Sequence, residues 1–230
     1  MGTKSARRTS VQAAEKLGAR GLRTRNKLKQ AAKELLNERG FRSTRIEDIT
    51  QRAEVAYGLF YRYFHDSREI AHELCVEIFE KINKDSVDLH FTLDPYDWIY
   101  AIHLSAVRHF AENPGVLACM FELSKDFDEF SDIWKASAHD WNLQVAKFLH
   151  KVAKFPKEHA RQMAFVLGAT TEGVVYQNLI RHTQDLVKMG RSAEDVAEII
   201  SVMWYRSIFF KSPPPNKIRN AKALLTFSRV

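Results

Sequence analysis

Between Thr44 and Arg62 the chain carries a set of side chains whose chemistry suits a polyanion. The planar fork of Arg62 can meet a guanine edge with two parallel hydrogen bonds, and Leu59, three residues earlier, can touch a thymine methyl. Tyr57 and Arg45 are further candidates for base edges. Tyr61 projects a hydroxyl suited to a phosphate oxygen. Thr44, at the start of a helix, places a hydroxyl beside backbone N–H groups that favour an anion. Gly58 leaves no side chain where backbone must approach backbone closely. Taken singly, each is also an ordinary surface residue, and Tyr63 reads equally as core or as contact.

Catalytic chemistry finds little support in the same string. The nine histidines are scattered, with no HExxH or CxxC spacing, no GxSxG elbow and no phosphate-cradling glycine loop. His103 with His109, and His139 with His150, do not fall at i, i+4, so no helix-borne metal site is expected. The expectation is a protein that is not an enzyme and needs no cofactor or metal.

These side chains need elements to hold them. Leu28, Ala31, Ala32, Leu35 and Leu36 recur at the spacing of one helical face, and Gly40 follows as a stop, so a first helix of about four turns is expected from Thr24. Ser43 or Thr44 can cap a second, short helix, with Glu47 three residues beyond Thr44 as in a capping box and Ile46, Ile49 and Ala53 facing inward. A third helix starts near Ala56 and turns Phe60 and Phe64 inward at i, i+4. His65, Asp66 and Ser67 break the chain and recap it for a longer helix to about Asn83. Three helices in about 40 residues, the last two joined by a tight turn at Ala53, Glu54 and Val55, form a helix-turn-helix, whose third helix can enter the major groove.

The remainder also reads as helix. Asp94–Pro95 and Asn113–Pro114 each combine an N-cap with proline at the first helical position. Further helices are expected from about Asp132 to Ala153 and from Pro156 to about His182. A last one, capped by Ser192 and Asp195, should run to about Lys211. No strand with convincing alternation and no internal repeat is present. Three consecutive prolines at 213–215 end the helical body.

At 230 residues, 45% hydrophobic and 27% charged, the chain is long enough to bury a core without staples, which excludes collagen-like, disordered and disulfide-scaffold classes. Its two cysteines, Cys75 and Cys119, lie in apolar-periodic stretches, as expected of buried thiols in a reducing compartment and hence a cytoplasmic protein. No apolar run approaches the roughly 18 residues of a membrane span, and no hydrophobic segment follows the basic N-terminus as in a signal peptide.

The net charge of +7 is unevenly placed. Residues 1–66 hold 15 Lys and Arg against 7 Asp and Glu, residues 67–210 hold 15 against 21, and residues 211–230 hold 5 against none. A basic head on an acidic body is the footprint of a polyanion partner, because each cation near a phosphate releases a condensed counterion. A solvated basic tail is the plainer alternative. Residues 1–23 are basic and without apolar period, and read as a mobile N-terminal arm that either follows a minor groove or only solubilises the chain. The tail at 212–230 is basic too, and either stays mobile or docks through Leu224, Leu225 and Phe227.

From Arg25 to Ile70 the string resembles the N-terminal domain of the TetR family of one-component transcriptional regulators. Ala31, Ala32, Gly40, Phe41, Thr44, Ile49, Ala53, Val55, Gly58, Phe60, Tyr61, Tyr63 and Phe64 match in one continuous register over roughly a fifth of the chain. The resemblance implies an all-α protein in which residues 24–66 bind DNA and a larger helical domain, residues 67–211, binds ligand and dimerises. The family's lysine at the start of the fourth helix falls at Ser67, so the phosphate contact there passes to Arg68 or to backbone N–H groups. Where the family commonly has glycine in the turn, this chain has Glu54. Thr44, Arg45, Tyr57, Gly58, Leu59, Tyr61, Arg62 and Ser67 are the DNA-binding candidates.

The same resemblance implies a homodimer whose last two long helices, about 157–182 and 192–211, form a four-helix bundle. Ala164, Gly168, Ala169 and Gly173 offer a small-residue strip for it. Val196, Ile199, Ile200, Met203, Trp204, Ile208 and Phe209 offer apolar surface. Two-fold symmetry would set the recognition helices about 34–36 Å apart on a palindromic operator, or further on a longer one. It also implies a small-molecule pocket, for which Trp98, His103, Phe121, Trp134, Trp141, Glu172 and Tyr176 are candidates, with Met120 and Asn178 beside them. Packing alone explains such residues equally well. The expected function is a repressor released from its operator by a small, largely apolar or aromatic ligand. The alternatives are a constitutive or architectural DNA binder without an inducer, and a helical module whose basic head meets an acidic protein.

Overall fold

The computed structural model describes residues 17–87 and 94–219. Ten α-helices order these residues: α1 (Ala19–Arg39), α2 (Ile46–Arg52), α3 (Tyr57–Phe60), α4 (Ser67–Val87), α5 (Pro95–Glu112), α6 (Pro114–Leu123), α7 (Asp128–Lys151), α8 (Lys157–Val175), α9 (Gln184–Met189) and α10 (Ala193–Phe209). No strand occurs among them, and the all-α expectation holds. The contacts divide the chain into two compact units, the first comprising residues 17–78 and 113–134 and the second residues 79–87, 94–112 and 135–219.

In the first unit, the predicted face of α1 is the buried one: Leu28, Ala31, Ala32, Leu35 and Leu36 are each at most 3% exposed. Gly40 stops the helix at φ 77°, with its N–H donating to the Leu36 carbonyl. The helix starts at Ala19, five residues before the expected Thr24. The cap of α2 also differs from the capping box at Thr44 and Glu47. Asp48 accepts from the Arg45 backbone N–H at 3.0 Å, while the Thr44 hydroxyl donates backwards to the Gly40 carbonyl. The shift follows from the helix beginning at Ile46, which puts Asp48 at its third position. Arg52 at the end of α2 holds Glu38 of α1 with two parallel bonds of 2.8 and 2.9 Å. That pairing holds the Glu38 carboxyl below its usual range.

The α2–α3 turn closes by two tail bonds, Glu54 N–H to the Gln51 carbonyl and Val55 N–H to the Thr50 carbonyl. This pattern requires a left-handed residue at position 54, and Glu54 adopts it with φ 57°. The predicted departure from glycine is therefore accommodated by strain in a glutamate. At α4 the N-cap is Asp66, whose carboxylate accepts from the Arg68 and Glu69 N–H groups, both at 2.9 Å. A second tight joint lies at α6, where a Cβ on Gly115 would stand 2.0 Å from the Leu36 carbonyl oxygen. The backbone of α6 can thus rest directly on the end of α1, and the Gly115 N–H donates to Asn37 Oδ1 at 2.8 Å.

The second unit is built on α5 and α10, which pack along each other. The Ser192–Asp195 capping box of α10 forms as expected, each residue accepting from the other's backbone N–H. Trp98 stacks flat on Phe148, ring centroids 4.0 Å apart. Instead of continuing as α-helix, α8 passes into a π-helical turn at Tyr176–Ile180, and the short α9 follows, an element the sequence reading lacks. Asn178 in that turn donates to the Leu186 and Gly190 carbonyls, which fastens α9 and occupies the side chain structurally. Beyond the prolines, Ile218 is buried and Lys217 bridges Asp94 and Asp97 at 2.8 Å each. The start of the C-terminal segment is therefore docked, and residues 220–230, with Leu224, Leu225 and Phe227, lie outside the described residues, as does most of the N-terminal arm.

Candidate nucleic-acid interface

The third helix divides sharply between two tasks. Phe60 is wholly buried and Phe64 is 1% exposed, their rings 5.7 Å apart. This pair seats the segment on the first unit's core, and N–H bonds from Tyr63 and Phe64 back to the Phe60 carbonyl extend the helical winding past α3. The intervening residues point outward: Tyr57 is 46% and Tyr61 51% exposed, and Gly58 and Arg62 are exposed as well. Leu59 is half-buried, in reach of both sides.

Tyr57 and Tyr61 form a preorganised pair on this open face. Their hydroxyls are 2.9 Å apart and their rings meet edge to face. The bond to Tyr61 pushes the Tyr57 phenol up to about 12, so its hydroxyl stays protonated at physiological pH. A Cβ on Gly58 would meet nothing within 4 Å, so the fold itself places no demand for glycine there, contrary to the close backbone approach expected. The missing side chain leaves open surface between the two tyrosines and Arg62.

The remaining candidates divide. Arg45 is exposed at the start of α2. Thr44 is only 8% exposed and its hydroxyl is spent on the Gly40 carbonyl, a role that shapes the α1–α2 turn. Ser67 is half-buried at the first position of α4, and the two N–H groups that follow it are already taken by Asp66. Its neighbour Arg68 is held by Asp66 at 3.0 Å and lies over the Phe127 ring, 4.6 Å from its centroid.

Ion pairs absorb much of the basic charge around this face. Arg25 and Lys29 pair with Glu73 and Glu77, Arg39 with Asp48, Arg42 with Glu122, and Arg52 with Glu34 and Glu38. Arg25 also covers the Phe64 ring at 4.9 Å, which braces the third helix from behind. These pairs were not legible in the sequence, since their partners lie on helices that only the fold brings together.

The ligand candidates do not gather in one unit. Phe121 and Trp134 meet in the first, ring centroids 5.1 Å apart. Trp98, His103, Trp141, Glu172 and Tyr176 lie in the second. There His103 is wholly buried, 4.5 Å from the Trp204 ring and 6.1 Å from that of Trp141. Trp204, assigned by its sequence pattern to a dimer face, belongs instead to this cluster. No helix among the described residues is long and apolar enough to cross a membrane, and no three His, Cys, Asp or Glu residues among them could hold a metal ion.

Comparison with known proteins agrees with this geometry. Residues 28–74 match the family model of bacterial regulatory proteins, tetR family. A curated relative, an uncharacterized HTH-type transcriptional regulator in the lacX 3′ region of Lactococcus lactis subsp. lactis, is 27% identical over 178 residues, covering 71% of this chain and 86% of that protein. Among solved structures, a transcriptional regulator from Rhodococcus sp. Rha1 aligns with a TM-score of 0.63 at 15% identity, covering 80% of this chain and 96% of that one. The TetR family transcriptional regulator PfmR from Thermus thermophilus gives 0.59 at 16%, with 78% and 97% covered. The dihydroxyacetone kinase operon activator DhaS gives 0.55 at 18%, with 83% and 98% covered.

Proposed function

Because residues 28–74 place the chain in the tetR family of bacterial regulatory proteins, a family of DNA-binding transcriptional regulators, we propose that it is a homodimeric repressor released from a palindromic operator by a small, largely apolar or aromatic ligand. The observation that carries this reading is the open face of Tyr57, Gly58, Tyr61 and Arg62 over the buried Phe60 and Phe64. In this role Arg62 and Leu59 read base edges, Tyr57 and Tyr61 position the helix on phosphates, and Arg45 supports them from α2. Thr44 and Ser67 act by shaping the turns that aim α2 and α4. The protein works where its DNA is, in the cytoplasm.

Dimerisation is supported by apolar side chains left at the surface of the second unit. Val166 on α8 is 61% exposed, Met203 on α10 50%, and Phe210 at its end 88%. The strip expected from sequence divides: Ala164 is buried and Gly168 gives room to Asn142 of α7, whose Oδ1 lies 2.2 Å from where a Cβ would stand, while Ala169 and Gly173 stay exposed; Val196, Ile200, Trp204 and Ile208 are buried within one chain. A ligand can drive release only by binding the DNA-incompetent arrangement more tightly than the competent one.

The test is selection of bound sequences from a random duplex pool, followed by titration of the winner and a scrambled control at several salt concentrations. A palindromic winner preferred by about 10³-fold or more supports the operator reading. Equal binding of both with a steep salt slope would replace it with non-specific electrostatic binding. A reporter driven through the winning site then fixes the sign: expression should fall when the protein is supplied. A rise would make it an activator, as DhaS is named.

A further inference from the structure

The cluster around His103 holds two polar atoms without a hydrogen-bond partner among the described residues, and they are of opposite kind. Ser201, wholly buried, donates its hydroxyl proton to the Ala197 carbonyl at 2.6 Å. Its oxygen is therefore left to accept from His103 Nδ1, 2.9 Å away. This fixes the tautomer: the proton sits on Nδ1, and Nε2 presents a bare lone pair. Burial lowers the His103 pKa to about 3, so the ring stays neutral. Nε2 is buried and has no hydrogen-bond partner among the described residues.

The same cluster holds a donor. Trp204 is 1% exposed, its ring crosses that of His103 at 86° with centroids 4.5 Å apart, and its Nε1–H is likewise buried and unpartnered among the described residues. Trp141, 5.5 Å from Trp204, is only partly buried and borders the cluster. Buried polar groups are paired in the great majority of native structures, and an acceptor and a donor left unpaired in one aromatic cluster call for a partner that supplies both functions.

We infer that His103 and Trp204 form the polar anchor of a binding site for an uncharged, hydroxyl-bearing molecule with an aromatic or aliphatic body. Its O–H donates to His103 Nε2 and its oxygen accepts from Trp204 Nε1–H, while Trp141 and Trp204 cover the apolar part. This deepens the ligand-responsive reading above and rests on it for biological meaning. The chemistry excludes neighbouring classes. A carboxylate would face the His103 lone pair, an ammonium would face the Trp204 N–H, and a pure hydrocarbon would leave both atoms unpaired.

The test uses the full chain without DNA. Affinities for 4-ethylphenol, ethylbenzene, 4-ethylbenzoate and 4-ethylbenzylamine are measured by calorimetry, and the His103 ring nitrogens are followed by long-range ¹H–¹⁵N correlation. The expected result is 4-ethylphenol binding at least about 10-fold tighter than each of the others, the increment of one or more hydrogen bonds. Nε2 should move upfield on saturation and Nδ1 stay protonated throughout. His103→Phe and Trp204→Phe should each remove that preference. If His103→Phe fails to fold, the wild-type nitrogen shift and the Trp204 variant decide. Equal affinity for 4-ethylphenol and ethylbenzene, no binding, or an unmoved Nε2 resonance would overturn the site. In a separate operator titration with and without 4-ethylphenol, binding at His103 that leaves operator affinity unchanged would retain the site and remove the inducer role, so the two readings fail separately.

Discussion

Arg62 and Tyr61 follow one another on the exposed winding after α3, yet their expected contributions differ in kind. Arg62 is assigned to a base edge, so Arg62→Ala should weaken operator binding by about 5- to 150-fold, roughly 1–3 kcal/mol, and relax the preference at one base position. The thermal midpoint should not change, because the side chain is exposed. Footprinting with single-base operator variants checks both parts. Glu54 offers a test of the opposite sign. Its φ of 57° is costly for a side-chain-bearing residue, and glycine would adopt it freely while losing more freedom on folding. Glu54→Gly should therefore stabilise the chain by up to about 1 kcal/mol in urea unfolding, and a loss of stability would contradict the turn geometry. Outward placement of Tyr57, Tyr61 and Arg62 was legible from the register of Phe60 and Phe64 alone. The burial of Thr44 was not, because a helix start shifted by one or two residues decides whether a hydroxyl caps or turns back.

At the scale of elements, local spacing found the buried face of α1, the capping residues of α5 and α10, and the start of α6 at Pro114, although Asn113 makes no side-chain cap bond there. It missed the first turn of α1, Ala19–Arg23, where Leu22 is 40% exposed: winding that continues an existing helix without burying a face leaves no periodic trace. It missed α9 and the π-helical turn for a related reason, as both depend on Asn178 reaching the Leu186 and Gly190 carbonyls. The α1–α6 joint is a longer-range feature still. Gly115→Ala would force a Cβ against the Leu36 carbonyl, and α6 would have to lift from α1. The expected cost is about 1–3 kcal/mol or more, read as a lower urea midpoint with an altered slope if the first unit loosens. A midpoint equal to wild type would mean that α6 does not rest on α1 in solution.

For the molecule as a whole, association and acid stability are the accessible quantities. Met203→Glu introduces a charge on the exposed face of α10 and should convert dimer to monomer in sedimentation equilibrium, with helical content retained and operator affinity reduced by about 10-fold or more. An unchanged mass would place the interface elsewhere. The neutral, buried His103 sets the direction of pH dependence. Its folded pKa, about 3, lies below the 6.5 of a free imidazole, so below pH 6.5 the unfolded chain takes up a proton that the native state refuses. Its contribution is intact above pH 6.5 and is lost as pH falls from there towards 3, by up to about 1.4 kcal/mol per unit. His103→Gln should flatten this part of the urea-midpoint profile between pH 7 and 4. A profile parallel to wild type would show that His103 protonates freely in the folded chain.

The division of labour in the third helix has a consequence for engineering. Phe60 and Phe64, braced by Arg25, fix its seating, while Tyr57, Gly58, Tyr61 and Arg62 lie on the other side. A library varying these outward positions, Arg62 above all, would explore new DNA sequences on an unaltered scaffold, so one chain could supply a set of mutually orthogonal DNA-binding proteins.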